Sequence, residues 1–193
     1  MRRRNFLTAL AAAVIVIGAG VIIGVGVTSG EKEELEIYTY PITPDDPEWA
    51  NYNHAELVNM LQIPEDILAD MTDAELVESV LDYPYIGDVM AYSTVELGMQ
   101  AVSDHFNGLK ELLNRPGTGK ILLEKFKKSP TQEELREEED SDILFDAWAI
   151  EFILSYMNAK DILNSEEKQL FYETMKEHNP TYFLYEDLTN ETE

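Results

Sequence analysis

The sequence predicts an all-α protein: an irregular bundle, or a short superhelix, of about ten short helices preceded by one N-terminal transmembrane or signal helix. Three observations carry this. Helix-start signatures recur along the chain, prolines punctuate it at helix-length intervals, and apolar residues repeat with the period of a helix rather than a strand. The chain has 193 residues, 45% hydrophobic and 10% aromatic, a globular composition with room for one core.

The first element is the apolar run. Leu7 to Val27 is 21 residues long with Thr8 as its only polar side chain. At about 1.5 Å per residue it reaches roughly 30 Å, the thickness of a bilayer's hydrocarbon core. Arg2, Arg3 and Arg4 precede it, and Glu31, Glu33, Glu34 and Glu36 follow it. That asymmetry predicts a cytoplasmic N-terminus and an extracytoplasmic body. Arg3 to Leu7 resembles the twin-arginine export signal, with Arg2 and Thr8 departing from it, so general export is the alternative route. Small residues near 24–30 do not form a good cleavage site, which favours a retained single-pass anchor over a secreted product. Gly20 and Gly24 have the spacing that lets two such helices approach closely.

Three regions follow: residues 1–30 as signal or anchor, 31–47 as an acidic, proline-containing linker, and 48–193 as the all-α extracytoplasmic domain. Within the linker, Ile37 to Tyr40 is a short β-prone piece suited to packing as an extended arm.

In the domain, Asn53 with Glu56, Thr72 with Glu75, Ser93 with Glu96, and Ser129 with Gln132 fit the capping-box pattern. Pro64, Pro84, Pro116, Pro130 and Pro180 end or restart helices, because proline lacks the N–H and restricts its predecessor. Expected helices are 53–61, 64–71, 73–82, 84–91, 94–106, 108–114, 119–128, 131–138, 142–157 and 166–178. Leu76, Val77, Val80 and Leu81 share one face of the third. Val95, Met99, Val102 and Phe106 form a helical seam on the fifth. Helix 142–157 is apolar on almost every side, which predicts a hub surrounded by other helices. Truncating Trp148 or Phe152 there is expected to cost roughly 3–5 kcal/mol.

Charge limits the partners. The chain has 38 acidic and 14 basic residues, a formal net charge of −24. Three of the basic residues precede residue 30 and all the acids follow it, so the body carries 11 − 38 = −27. Such a body repels nucleic acid and anionic headgroups and attracts cations or basic proteins. The chain contains no cysteine, which excludes disulfides, thiolate metal sites and a thiol nucleophile.

Candidate chemistry is sparse. Pro116 to Lys120 has part of a phosphate-loop pattern, but Asn114 and Ile121 stand where it needs glycine and a hydroxyl. A helix–helix turn is the better reading. Asp140, Asp142 and Glu151 occupy three positions of a calcium loop, yet Leu144 and Phe145 break it. The acids 137–140 suit loose gathering of divalent cations at most. Asp146 and Glu151 lie in the most apolar helix and point in different directions, so they are not a cooperating pair. His54, His105 and His178 lack metal-ligand spacing. On a helix starting at Pro84, Tyr85, Asp88 and Tyr92 share one face, as a recognition patch or as core tyrosines with a hydrogen-bonded acid. No residue is assigned a catalytic, cofactor-binding or metal role, and no cofactor is expected.

Met71-Thr72 with Glu75-Leu76-Val77, the run Tyr83-Pro84 to Tyr92, and Phe106 to Leu112 resemble segments of an uncharacterised family of exported, all-helical proteins. The similar region covers about residues 60–128. The resemblance implies export and a helical domain and says nothing about chemistry.

The expected function is an exported, membrane-tethered, non-enzymatic interaction module of the cell envelope. Its partners are the bilayer, through the N-terminal helix, and a basic envelope protein, with no nucleic acid. The alternatives are an envelope hydrolase with dispersed carboxylate and histidine chemistry near Asp82, Asp88, Asp146 or Glu151, and a weak divalent-cation binder.

Overall fold

The computed structural model describes residues 35, 37–131, 133–134 and 141–178. The apolar run, the acids 137–140, most of the helix expected at 131–138 and residues 179–193 lie outside them. An arm over 37–40 without regular secondary structure leads to a 3₁₀ turn (Trp49–Asn51) and to α1 (His54–Met60), α2 (Glu65–Asp70) and α3 (Asp73–Leu81). A 3₁₀ helix (Ile86–Ala91) is followed by α4 (Val95–His105), α5 (Asn107–Asn114), α6 (Thr118–Phe126), α7 (Ser141–Ala159) and α8 (Ser165–His178). Among the described residues there is no strand, and no helix is long and apolar enough to cross a membrane. The fold is an all-α bundle.

Caps set the helix starts. Asn53 with Glu56 and Thr72 with Glu75 form reciprocal boxes, each side chain satisfying the other's backbone N–H. Two expected caps move. The hydroxyl of Thr94, not Ser93, accepts the Leu97 N–H at 3.2 Å. Thr94 holds the extended backbone a cap requires (φ −140°, ψ 151°). Ser129 instead closes the preceding helix by donating to the Phe126 carbonyl at 2.6 Å, and Thr131 with Glu134 takes over the reciprocal hydrogen bonds.

The centre of the packing is α3, which meets α5, α6 and α7. Leu76, Val77 and Val80 are fully buried on it, as the helical period requires. The same face buries Ser79, whose polar atoms tie down the arm. Its Oγ accepts the Tyr38 N–H at 2.9 Å, and its carbonyl accepts the Tyr40 hydroxyl at 2.8 Å. Tyr40 and Ile42 are buried in the core, so the arm belongs to the folded unit, which begins at Leu35. Arg115 fastens α2 to α5 by donating to the Leu68 and Met71 carbonyls at 2.6 and 2.5 Å. Those carbonyls end α2 and have no helical partner of their own. Asn107 joins the α1–α2 loop to the start of α5 by mimicking a backbone unit. Its side chain accepts from Ile63 N–H and donates to Ile63 C=O, while Gln62 accepts its N–H.

The expectation for helix 142–157 is corrected. α7 packs on α3, α4 and α6 and buries Ala149, Ile150, Ile153, Leu154 and Met157. It lies at the edge of these helices rather than inside them, so its far side faces outward. Trp148 is 47% exposed, and Phe152 is only partly buried. Trp148→Ala should therefore lower stability by less than about 1 kcal/mol, whereas Ile153→Ala should cost about 2–5 kcal/mol. Parallel denaturant melts of the two variants decide this.

Candidate functional site

A cleft of about 320 Å³ opens between α1, the 3₁₀ helix and α4. The local rules that shape these three elements place its side chains. The Asn53 cap starts α1 at His54, so His54, Ala55, Val58 and Asn59 fall on one wall. The floor comes from Tyr83 to Tyr92. This run was expected as an α-helix from Pro84, but it forms a 3₁₀ helix beginning at Ile86. The tighter winding eclipses residues three apart, and the Asp88 N–H bonds the Tyr85 carbonyl at 3.0 Å. Tyr85 and Asp88 therefore rise together into the cleft. Ala101, Val102 and His105 on α4 form the opposite wall.

Gly98 makes this closeness possible. A Cβ at that position would sit 2.1 Å from the Val89 carbonyl oxygen, so α4 can approach the 3₁₀ helix only without a side chain there. Gly98→Ala should push the two elements apart, lower stability by about 1–3 kcal/mol and change the cleft. Melting curves, with tyrosine fluorescence as the local readout, test this.

The cleft is aromatic with one formal charge. Asp88 Oδ2 accepts a hydrogen bond from His54 Nε2 at 2.6 Å. A carboxylate can only accept, so the His54 proton sits on Nε2 and Nδ1 keeps the lone pair in the neutral ring. The Tyr85 ring lies between His54, with centroids 4.5 Å apart, and Trp49, at 5.3 Å. Tyr83 meets Tyr85 edge-on at 6.3 Å and stacks on buried Phe106 at 3.8 Å. Burial and the Asp88 charge push the Tyr83 and Tyr85 phenols up, so both stay neutral across physiological pH. His105 Nδ1 donates to the Ala101 carbonyl at 2.8 Å, which leaves Nε2 as its acceptor. The lining contains no lysine or arginine.

The cleft thus unites the Tyr85–Asp88–Tyr92 patch with His54 and His105, which the sequence left scattered. The seam of α4 held one clue, because His105 stands one turn beyond Val102 on the same face. His54 carried none, since its partner is 34 residues away.

The other candidates lie elsewhere. Pro116 and Gly117 form a helix–helix turn that opens α6 at Thr118, which is buried and donates to the Leu112 and Arg115 carbonyls. His178 is buried against Phe126, and burial holds its imidazole below the usual value. Asp82 ends α3, outside the cleft lining. Asp146 is exposed and Glu151 is half-buried on α7. Among the described residues, no group of three or more histidine, aspartate or glutamate side chains is placed to hold a metal ion. No family model matches the chain, and neither curated proteins nor solved structures give a match.

Glu151 is explained by burial, which raises its pKa above the ordinary 4.5. Below that pH the carboxyl is protonated in both folded and unfolded chains. As pH rises through the folded value, the folded state must hold a poorly solvated charge and loses stability. Glu151→Gln should therefore raise the melting temperature at pH 7, with the gain fading as pH falls towards 4.5 and absent below it, in paired thermal melts.

Proposed function

We propose that the chain is a non-enzymatic interaction module of the cell envelope, an acidic helical body that captures a basic partner at the His54–Tyr85–Asp88 cleft. The N-terminal apolar run holds it in the membrane, with the N-terminus cytoplasmic and the body outside. Three features support this reading. The charge divides sharply, with three arginines before the run and a body of −27 after it, as a retained N-in anchor requires. The resemblance of residues 60–128 to exported helical proteins points the same way. The cleft carries the argument, because it gathers neutral aromatic rings and one carboxylate on a body whose field draws in positive charge.

One observation favours a second reading. His54 is oriented by Asp88 at 2.6 Å in an open cleft, the pairing a general base uses. A hydrolase of envelope polymers would lose turnover in His54→Ala, while Asp88→Asn would retain a residue.

Fractionation with mass measurement of the mature N-terminus tests the topology. The expected product keeps residues 7–27, sediments with membranes and is open to protease from outside. Intact chain free in the cytosol overturns it. A pull-down from envelope extract should capture a basic protein, lose it in Asp88→Asn and weaken as salt rises. An empty pull-down at low and physiological salt removes the interaction reading.

A further inference from the structure

The geometry points to the cleft as a receptor site for an organic cation on a short apolar stem, such as a lysine or arginine side chain or a polyamine. The inference rests on the interaction reading above and names the chemistry that reading leaves open.

Size sets the first limit. A volume of about 320 Å³ suits one side chain or a small amine, not a folded surface. Polarity sets the second. Ala55, Val58, Ala101 and Val102 offer apolar wall to a methylene stem, while Tyr83, Tyr85 and Tyr92 supply aromatic rings. Ring faces are the negative part of the aromatic quadrupole and attract a cation placed over them. The Tyr83 and Tyr85 phenols stay neutral, so these two rings carry no ionic charge. Asp88 supplies the one full charge. His54 hydrogen-bonds Oδ2 and fixes the carboxylate within the cleft lining.

Sign sets the third limit. No lysine or arginine lines the cleft, and the chain's formal charge is −24, so an anion has neither a partner nor a favourable field. A bare metal ion lacks a cluster of ligands among the described residues. A wholly apolar ligand would take water from the Asp88 carboxylate and offer it no hydrogen bond beyond the one from His54. An alkylammonium or guanidinium satisfies all three limits: its stem takes the alanine and valine wall, and its head takes the exposed Tyr92 ring and the Asp88 carboxylate.

Isothermal titration of the full chain in detergent micelles tests this with four probes. They are N-acetyl-lysine methylamide, its arginine counterpart, spermidine, and the lysine probe neutralised by acetylation of its side-chain amine. At least one cation should bind, and the neutral analogue should bind about tenfold more weakly or not at all. Asp88→Asn should weaken the cation about tenfold, whereas Glu124→Gln, the same charge change on an exposed part of α6, should leave it unchanged. Tyr92→Ala removes an exposed ring from the cleft edge and should weaken binding about threefold, which keeps the test decisive if Asp88→Asn fails to fold. Amino-acid probes binding without spermidine assign the site to a protein side chain, and the reverse assigns it to free polyamine. Equal affinity for the neutral analogue, no binding by any cation, or full binding by both cleft variants overturns the inference. Probe binding with an empty envelope pull-down preserves the site and removes the interaction module. A pull-down that persists without probe binding does the opposite.

Discussion

Tyr83 and Phe106 stack with centroids 3.8 Å apart and planes 3° from parallel, and the rest of the structure is arranged around this pair. Phe106 is 1% exposed at the junction of α4 and α5, while Tyr83 follows the end of α3 and lines the cleft. Tyr40 from the arm tilts onto both rings, at 5.8 Å from Tyr83 and 6.4 Å from Phe106. Three distant stretches of chain therefore meet in one aromatic cluster. Aromatic pairs of this kind add to the large area that each ring buries, so the cluster is both a stabilising contact and a positional reference. The inner edge of the cleft is the outer edge of the core. Tyr85 and Asp88 inherit their placement from a ring that cannot move without disturbing α3, α4 and the arm.

Polar side chains do much of the remaining positioning, which suits a protein of short helices. Short helices leave a high proportion of backbone groups at their ends, each needing a partner. Asn107, Arg115 and Thr118 satisfy such groups across turns, and among the described residues no buried side-chain nitrogen or oxygen lacks a hydrogen-bond partner. The exposed Lys160–Glu96 ion pair adds local order, but solvent screening leaves it worth little. Among the described residues most acidic side chains are exposed, so they shape the field around the body more than they shape the fold.

The cleft shows how an ordinary local choice becomes a site. Six residues between Pro84 and Ser93 wind as a 3₁₀ helix, pressed against α4 by the absence of a side chain at Gly98. That winding brings Tyr85 and Asp88 into line. The first turn of α1 then supplies His54, whose ring closes on Tyr85 and whose Nε2 holds the carboxylate. Rigid aromatic neighbours and a fixed carboxylate make the cleft preorganised, which lowers the ordering cost of binding.

The sequence by itself determined the helical class, the caps of α1 and α3, the buried face of α3 and the seam of α4. Each depends on neighbours within about one or two helical turns, where spacing and side-chain chemistry are sufficient. It misjudged Trp148, because an all-round apolar helix pattern does not say how much of its circumference other helices will cover. It shifted the caps at Thr94 and Thr131 by one or two positions, since neighbouring hydroxyls compete and backbone conformation chooses. Only tertiary structure decided that the arm packs on Ser79, that the run after Pro84 winds as a 3₁₀ helix, and that His54 meets Asp88. The arm and His54 contacts join residues 34 to 41 positions apart, and no local period encodes which distant partner a side chain will face.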